Sequence, residues 1–404
     1  MLLAFKNGKI LTDAGIENGR TLLVRDGRIE AIIGAREVVG ADRVIELDGH
    51  LLVPGFIDTQ VNGGGGVLFN GDPSVASIEA IGRAHRRFGT TGFLPTLISD
   101  NLDVVARAIA AVREAIARGV PGVLGIHIEG PFLSNERRGV HDLSKLRSLD
   151  GDAVELLSTS TGGVTMVTLA PERTTPAIIR ALTEAGVIVS AGHTNATYDE
   201  LQPALTAGVR GFTHLFNAMS PLTSREPGAV GAALAHADSW VGLIVDGHHV
   251  HPETLKIALR AKRRDRFMLV TDAMPSVGAD VDEFRIQGRL ITVEGDKIVD
   301  DEGRLAGAHL DMASAVRNSV NLLGVSLPEA VRMASAHPAE FLKVDGAEGR
   351  IAPGQRANLA LVDETLTVRK TWIDGLAEGD GVSDTKKRAA PGGTALTSAG
   401  KSVF

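Results

Sequence analysis

Two different hydrophobic patterns divide the chain. In residues 1–50, short apolar runs alternate with the turn dipeptides Asn7-Gly8, Asp26-Gly27 and Asp48-Gly49. Such dipeptides between apolar runs are the strongest local signal for β-hairpins, so this part is predicted to be antiparallel β structure. From residue 54 onward, apolar strand-like runs alternate with amphipathic helical stretches, which is the rhythm of βα units.

Eight apolar runs of the second region are predicted to be parallel strands. They cover residues 56–61, 91–97, 123–129, 164–169, 187–191, 211–215, 241–245 and 267–271. Eight such strands with helices between them favour a TIM-type (β/α)8 barrel, which usually needs about 250 residues. A doubly wound open sheet is the competing α/β arrangement. It would normally carry a GxGxxG phosphate turn, which the four glycines at 63–66 do not form.

The segments around the barrel predict a second, smaller unit. A β-rich insertion at 284–299 and two helical patterns at 309–323 and 327–341 follow the eighth run. Residues 358–362 and 368–373 again resemble strands, and the simplest arrangement has them complete the N-terminal β unit as a small sandwich. The predicted domains are therefore a β unit at 1–53 and 351–376, a barrel at 54–350, and a flexible tail at 377–404.

Composition narrows the classes of function. The chain has 404 residues, a net charge of −7, no long basic run and no cysteine. Nucleic acid and acidic membranes are thus not expected partners, and any metal must be held by His, Asp or Glu. The N-terminus lacks signal-peptide features and no apolar run approaches about 18 residues, so a cytoplasmic location is expected.

Polar residues interrupt the apolar runs where the predicted strands end. They are Gln60 and Asn62 on the first strand, Glu129 on the third, His193 on the fifth, His214 on the sixth and Asp272 on the eighth. The reactive groups of a TIM barrel stand at this carboxyl face, so closure of the barrel is expected to bring them to one mouth.

Two histidines and a glutamate at one mouth suggest a metal site. Singly, Glu129 could cap the next turn, and His193 or His214 could be an ordinary strand-end histidine. Together they suit zinc or another borderline divalent ion and leave a position open for water. Asp272 could be a helix N-cap, or it could take a proton from activated water and pass it to a leaving amine. The second interpretation describes metal-assisted amide hydrolysis.

Further polar residues surround the predicted mouth. His127 faces the same way along its strand as Glu129, and a supporting or packing role is favoured. Loops near the mouth carry His141, Asn217, Arg225 and the 246–249 segment Asp-Gly-His-His. Arginine and histidine beside a catalytic mouth could bind an anionic substrate, because arginine offers a fixed fork of donors to phosphate. The alternative for each residue is a solvated surface position.

Eight motifs, in order, resemble those of the N-acetylglucosamine-6-phosphate deacetylase family within the amidohydrolase superfamily. They are PGFIDTQVNG, GIHIEGPFLS, GHTNATYDE, THLFNAMS, SREPG, IVDGHHVH, LVTDAMPSVG and LAGAHLDMASAVRN, and they span residues 54–318. The resemblance implies hydrolysis of the acetamide of N-acetylglucosamine 6-phosphate to acetate and glucosamine 6-phosphate.

The resemblance also implies roles for particular residues. Glu129, His193 and His214 would bind the metal, and Asp272 would accept and donate the proton. The sugar and its acetamide would contact Val140, His141, Asn217, Ala218, Leu305, Ala306 and Gly307. Arg225 and His249 would hold the 6-phosphate across a homodimer interface. Gln60 and Asn62 resemble the branch that lacks a His-x-His pair and binds one ion, in agreement with the poor ligand strength of neutral amides.

Several alternatives stay open at this point. Two His and one Glu accept zinc, and also iron, cobalt or manganese. The sugar could be N-acetylgalactosamine 6-phosphate, since His309 departs from the family pattern just after the sugar-contacting segment. A cyclic-amide hydrolase or deaminase would typically need the His-x-His pair, and often a carboxylated lysine that no predicted strand end supplies. A barrel that serves only as an assembly scaffold is the rival outside enzymes.

Overall fold

Eight parallel strands form the central sheet of the computed structural model, which describes residues 1–37 and 39–378. Neighbours in the sheet follow one another along the chain, so the sheet curls into a nearly closed barrel. The strands are Phe56–Val61, Thr90–Ile98, Gly125–Glu129, Val164–Leu169, Ile188–Ala191, Gly211–Phe212, Trp240–Leu243 and Phe267–Leu269. Each predicted run overlaps one of them, and the predicted TIM-type barrel is confirmed.

Hydrogen bonds just beyond the last strand close the barrel onto the first. The backbone N–H of Asp272 donates to the carbonyl of Gln60 at 3.0 Å. Below that bond, the fully buried Asp58 carboxylate accepts hydrogen bonds from the backbone N–H of Thr271, at 3.3 Å, and from the Thr271 hydroxyl. We name this contact the Asp58–Thr271 clasp. Burial raises the pKa of Asp58 to about 7, while the bonds from Thr271 and Gln60 oppose that rise.

Helices follow the strands as the βα pattern predicts. They are Val75–Arg86, Leu102–Ala117, Gly151–Leu157, Pro176–Glu184, Tyr198–Ala207, Gly228–Ala235, Pro252–Ala261, Met312–Leu323, Leu327–Ala334 and Ala336–Leu342. Short 3-10 turns occur at Leu143–Lys145, Pro171–Arg173 and Arg264–Arg266. The helix that begins at Tyr198 has a capping box, in which Thr197 and Glu200 bond each other's backbone N–H groups, and it ends at Gly208 in the left-handed region with φ of 116°.

The helical pattern predicted at 327–341 is two helices rather than one. The first ends at Ala334, and Ser335 separates it from the second. The reason is Pro338, whose ring in a continuous helix would clash with the carbonyl four residues earlier. The second helix covers the amino end of the barrel, where Phe341 packs with Trp240, Met166 and Ile57. The chemistry is thereby confined to the opposite, carboxyl end.

The two ends of the chain meet in two further sheets. One contains Leu2–Lys6, Arg20–Arg25, Arg28–Gly34 and Arg43–Glu46, and the other contains Lys9–Thr12, Gly15–Glu17, Leu51–Pro54, Leu359–Val362, Val368–Ile373 and Leu376–Ala377. Leu359–Val362 lies antiparallel to Leu51–Pro54, so C-terminal strands do join the N-terminal β structure. Phe5, Leu22 and Trp372 share a core formed from both sheets, which makes the unit a small sandwich. The exact domain boundaries stay a prediction, and residues 379–404 of the predicted tail lie outside the described part.

The prediction of three N-terminal hairpins was right for one dipeptide and wrong for two. Asp26-Gly27 joins antiparallel neighbours. Asn7-Gly8 and Asp48-Gly49 instead connect strands that belong to different sheets, and two of the resulting pairings are parallel. All three aspartate or asparagine residues have positive φ, so the local turn chemistry is the same. The dipeptides differ in whether the next strand joins the same sheet or the opposite sheet of the sandwich. A dipeptide does not determine that choice.

The predicted β-rich insertion is a three-stranded antiparallel sheet beside the carboxyl end of the barrel. Its strands are Glu283–Ile286, Arg289–Glu294 and Lys297–Asp300. We name it the insertion sheet. A smaller pair, Gly63–Gly64 with Val67–Leu68, lies in the glycine-rich loop after the first barrel strand. Over residues 1–37 and 39–378, none of the helices combines the length and apolar character that a membrane span requires.

The Asp58–Thr271 clasp makes a testable prediction about stability. Replacing Asp58 with alanine leaves buried backbone N–H groups without acceptors, and we expect the free energy of unfolding to fall by about 2–4 kcal/mol. Urea unfolding followed by circular dichroism measures this change. The matched control is Thr59→Val, because Thr59 is equally buried and its hydroxyl has no partner among the described residues. Equal stability of Asp58→Ala and the parent would contradict the structural role of the clasp.

Candidate active site

Three side chains converge at the carboxyl mouth of the barrel. Glu129 is the last residue of the third strand, while His193 and His214 come two residues after the fifth and sixth strands. The Nε2 atoms of His193 and His214 lie 3.2 and 3.0 Å from Glu129 Oε1, and 3.1 Å from each other. All three residues are buried, and their ligand atoms lie within 4.8 Å of one another. We name these residues the Glu–His–His cluster.

The protonation pattern of His193 fits a metal ligand. Its Nδ1 atom lies 2.8 Å from the carbonyl oxygen of Arg137, which can only accept a hydrogen bond. Nδ1 therefore carries a proton, and in the neutral ring the lone pair of Nε2 is available to a metal ion. Two imidazole Nε2 atoms and a carboxylate oxygen aimed at one point are the donor set that zinc and similar divalent ions prefer. The cluster could hold a metal ion.

The charges of the cluster are interdependent. Burial alone would raise the pKa of Glu129, but hydrogen bonds and charge from His193 and His214 hold it well below its ordinary value. Burial alone would lower the pKa of His214, yet the bond to Glu129 raises it. The carboxylate thus stays ionised inside the protein because positive charge is placed beside it. A divalent cation supplies such charge directly.

Strained backbone accompanies these side chains. His193, His214 and Asp272 have φ of 47°, 35° and 53°, which lie in the left-handed region that residues with a Cβ rarely adopt. Such conformations cost about 1–3 kcal/mol each and persist where surrounding structure enforces them. Here they turn each side chain inward just after its strand. The strained backbone therefore lowers the stability of the fold but directs these side chains to one point.

Asp272 is joined to the cluster through two amide side chains. Its Oδ1 atom accepts hydrogen bonds from Asn62 Nδ2 at 2.6 Å and from Gln60 Nε2 at 3.1 Å. The same Gln60 nitrogen lies 3.1 Å from both carboxylate oxygens of Glu129. Burial, followed by the nearby charge of Glu129, raises the pKa of Asp272 to about 6. No described residue bonds to Oδ2, so that oxygen is available to a ligand or a water.

His141 stands beside the cluster with its proton on a defined nitrogen. Its ring lies 4.5 Å from that of His193, centroid to centroid. The backbone N–H and the hydroxyl of Ser99 approach Nδ1 at 3.3 and 2.7 Å. Since a backbone N–H can only donate, Nδ1 accepts and the proton is on Nε2. Burial lowers the pKa of His141 to about 3, which keeps this ring neutral.

Residues of the insertion sheet and of the barrel interior support this arrangement. Gln287, in the turn of the insertion sheet, donates to the carbonyl of Ser99 and accepts at 3.1 Å from the N–H of Asp142. It thereby ties together the two segments that hold His141.

His127 does not contact the cluster. Its Nε2 atom lies 2.8 Å from the Thr168 hydroxyl, and burial lowers its pKa to about 4, so a neutral supporting ring is what the structure contains.

The remaining predicted contact residues lie around the mouth in different ways. Asp272 O accepts a hydrogen bond from Ala308 N at 2.9 Å, which places the adjoining segment Leu305, Ala306 and Gly307 beside the aspartate. Gly307 has φ of 75°, a conformation that suits glycine.

Other predicted residues belong to neighbouring loops. The Asn217 amide donates to the carbonyls of His214 and Leu215, and Ala218 is half-buried beside it. Val140 is half-buried next to His141, whereas Arg225 is exposed. His249 is close enough for its positive charge to lower the pKa of Asp272.

Several supporting residues were not singled out from the sequence. Asp58, Ser99, Thr271 and Gln287 support the mouth through hydrogen bonds to partners that lie tens to hundreds of positions away. Asp58 is the one with a usable signal, because a carboxylate inside an apolar strand must find hydrogen-bond donors.

Comparison with known proteins gives a consistent assignment. The family model of the amidohydrolase family matches residues 51–381 of this chain. An N-acetylgalactosamine-6-phosphate deacetylase of Shewanella sp. (strain ANA-3) is 43% identical, over 93% of this chain and 95% of that protein. An N-acetylglucosamine-6-phosphate deacetylase of Haemophilus influenzae is 34% identical, over 93% and 99%. The crystal structure of N-acetylglucosamine-6-phosphate deacetylase from Pasteurella multocida has a TM-score of 0.91 at 37% identity, over 94% of this chain and 100% of that one.

Fold and site together define a TIM-barrel hydrolase with a buried cluster that could hold a metal ion. The chain belongs to the amidohydrolase family.

The cluster predicts how metal content responds to substitution. After loading with zinc and dialysis, His193→Asn should retain less than about a tenth of the zinc that the parent retains, because two ligands do not hold a divalent ion under dialysis. Plasma emission spectrometry of the purified protein measures the ratio. The matched control is His337→Asn, since His337 and His193 are both 6% exposed but His337 bonds the carbonyl of Phe267 at the other end of the barrel. Full zinc content in His193→Asn would remove this residue from the ligand set.

Proposed function

We propose that this protein hydrolyses the acetamide of N-acetylglucosamine 6-phosphate, giving acetate and glucosamine 6-phosphate. The observation that carries the proposal is the position of Asp272. Its carboxylate lies at the same mouth as the Glu–His–His cluster and has one oxygen available to accept a proton. The Gln60 amide donates hydrogen bonds both to this carboxylate and to Glu129. A metal-binding cluster and an adjacent proton acceptor are the two parts that amide hydrolysis by activated water requires.

One divalent ion per chain, with zinc preferred, completes the proposed site. Glu129, His193 and His214 would hold it, and iron, cobalt or manganese would fit the same ligands. Such an ion polarises a carbonyl group and lowers the pKa of water toward neutrality. Gln60 and Asn62 point their amide N–H groups at carboxylates, and an N–H donor cannot act as a ligand. This orientation supports one ion rather than two.

Asp272 is the proposed general base and then the general acid. The amides of Asn62 and Gln60 occupy Oδ1 and fix the carboxylate, which leaves Oδ2 to take a proton from the attacking water. Its pKa, raised to about 6 by burial and by Glu129, is nearer to neutrality than that of an ordinary aspartate. A base with such a pKa can accept the proton and afterwards return it to the leaving amine.

His141 is the proposed donor to the acetamide oxygen. Ser99 holds the proton of this ring on Nε2, and a neutral N–H placed beforehand stabilises negative charge as it develops on a carbonyl oxygen. Val140, Asn217, Ala218, Leu305, Ala306 and Gly307 are proposed to contact the sugar around this point. Their contributions come partly from backbone groups, which a residue type does not reveal.

The phosphate is proposed to lie between His249 and an arginine of a second subunit. His249 follows the seventh barrel strand, at the carboxyl end of its own barrel. Arg225 is exposed, on a loop next to Leu222, an apolar side chain with 56% exposure. We therefore propose a homodimer in which Arg225 crosses to the neighbouring mouth and His249 serves its own. Both groups suit a phosphate dianion. The cytoplasmic location stays a prediction from the sequence.

N-acetylgalactosamine 6-phosphate is the second candidate substrate. The observation that favours it is the 43% identity to a relative with that name. The two sugars differ only in the orientation of the 4-hydroxyl group, so the same catalytic residues would serve both. A cyclic-amide hydrolase is less well supported, since the amides of Gln60 and Asn62 stand where its second ion would need ligands.

The role of Asp272 is testable by one isosteric substitution. Asp272→Asn should keep zinc bound and lower kcat about a thousandfold or more, since an amide cannot take the proton from water. Acetate release and zinc content are measured on the same preparation. Asp311→Asn is the control, because Asp311 caps the helix that begins at Met312 and asparagine caps equally well. Turnover of Asp272→Asn within tenfold of the parent would exclude Asp272 as the base.

A panel of four sugars tests the substrate. We expect kcat/KM to be at least about tenfold higher for N-acetylglucosamine 6-phosphate than for its galactosamine epimer, and lower still for either sugar without phosphate. Coupled detection of acetate gives these ratios. A preference for the galactosamine epimer would select the second candidate. Absence of acetate from all four sugars, with zinc bound, would refute the proposed deacetylase and leave the scaffold or another amide as the alternative.

A further inference from the structure

A buried aspartate holds the ring of His249 at the mouth. Asp246 follows the seventh barrel strand by three residues, and its side chain is 7% exposed, against 8% for His249. Its Oδ1 atom accepts hydrogen bonds from the backbone N–H groups of His248 and His249, both at 2.9 Å. Its Oδ2 atom lies 2.6 Å from His249 Nδ1. One carboxylate thus fixes both the turn and the imidazole that the turn carries.

The carboxylate of Asp246 stays ionised in this position. Burial alone would raise its pKa, but the bond and the charge of His249, together with the two backbone N–H groups, lower it to about 2. An ionised carboxylate can only accept, so His249 must donate from Nδ1. The only ring nitrogen of His249 left for a ligand is Nε2.

The neighbouring histidine has a different partner. His248 Nε2 lies 3.0 Å from Asp296, an exposed residue at the tip of the insertion sheet. His248 is therefore directed to the insertion sheet, while His249 is directed to the mouth. Two adjacent histidine–aspartate pairs thus differ in burial and in direction, and this contrast supplies a matched control.

Phosphate chemistry gives the Asp246–His249 pair a consequence. A phosphate dianion has only acceptor oxygens, so His249 can bind it only through an Nε2–H. Because Nδ1–H already donates a hydrogen bond to Asp246, a ring that also donates from Nε2 must carry both protons and is therefore an imidazolium cation. The cation would then lie between two anions, the buried carboxylate and the ligand phosphate.

We infer that Asp246 is a positioning residue that makes His249 a cationic clamp, and so confers selectivity for phosphorylated sugars over their unphosphorylated forms. This inference rests on the proposed function, in which His249 faces the 6-phosphate. Asp246 itself touches no substrate atom. It acts through the orientation of the ring and through the charge that the ring can carry.

Asp246→Asn separates charge from position. The asparagine oxygen can still accept from the two backbone N–H groups, but its NH2 group then meets Nδ1 and requires the neutral tautomer with the proton on Nε2. Because a charge-assisted hydrogen bond is roughly twice as strong as a neutral one, we expect the KM for the 6-phosphate to rise about tenfold. The change in kcat should stay within about twofold. The ratio of kcat/KM between phosphorylated and unphosphorylated sugar should fall about tenfold.

Two further variants make the result interpretable. Asp246→Glu keeps the negative charge and should retain more of the phosphate preference than Asp246→Asn does. Asp296→Asn breaks the neighbouring pair and should leave the ratio unchanged, because Asp296 is 76% exposed and faces His248. An unchanged ratio in Asp246→Asn, with kcat lowered equally for both sugars, would reduce Asp246 to a structural residue and overturn the inference.

Binding of inorganic phosphate distinguishes this inference from the proposed function. Calorimetric titration of the zinc-loaded protein with phosphate needs no turnover, and the dissociation constant should rise about tenfold in Asp246→Asn. A parent protein that releases no acetate but shows this shift would refute the deacetylase and support the clamp. A parent that releases acetate but whose phosphate affinity is the same in Asp246→Asn would support the deacetylase and refute the clamp.

Discussion

The hydrogen bonds between the first and eighth barrel strands are the constraint on which the site depends. Glu129, His193 and His214 come from the third, fifth and sixth strands, and their side chains meet because the sheet curls into a barrel. Asp272 reaches them only because the Asp58–Thr271 clasp and the bond from Asp272 N to Gln60 O bring the last strand beside the first. Closure therefore places a carboxylate beside the Glu–His–His cluster.

Charge balance explains why amide side chains follow the first strand. Glu129 is buried and Asp272 is half-buried at the same mouth, and two anions close together in a region of low dielectric repel each other strongly. The Gln60 amide donates to both, and Asn62 donates to Asp272. In a site with two imidazoles at these positions, a second cation would supply that compensation. Here the N–H dipoles of Gln60 and Asn62 supply that compensation.

The fold and the convergence of the site could be predicted from the sequence because both follow from periodicity and topology. Eight apolar runs indicated the barrel, and the rule that parallel strands present their carboxyl ends together indicated one mouth for Glu129, His193 and His214. The errors arose where the decisive contact is not local. Asn7-Gly8 and Asp48-Gly49 have the turn chemistry of hairpins but lead into a different sheet. Ser99 could not be predicted as the partner of His141, because that contact depends on the path of the loop after the third strand.

A division between strands and loops bears on the identity of the sugar. Four of the groups proposed to act on the acetamide stand at or just beyond strand ends, namely Glu129, His193, His214 and Asp272. The fifth, His141, lies in a loop, where Ser99 holds it. The groups proposed to contact the sugar ring lie farther along the loops and the segment at 305–307. Because the two hexosamines share the bond that is broken and differ at one hydroxyl, the strand-end residues cannot discriminate between them. Under the proposed assignments, selectivity for the epimer comes from loop residues, and selectivity for phosphate comes from the separate pair of Asp246 and His249. Such a separation allows one catalytic arrangement to serve either sugar, which agrees with the relatives being named for N-acetylglucosamine 6-phosphate or for N-acetylgalactosamine 6-phosphate.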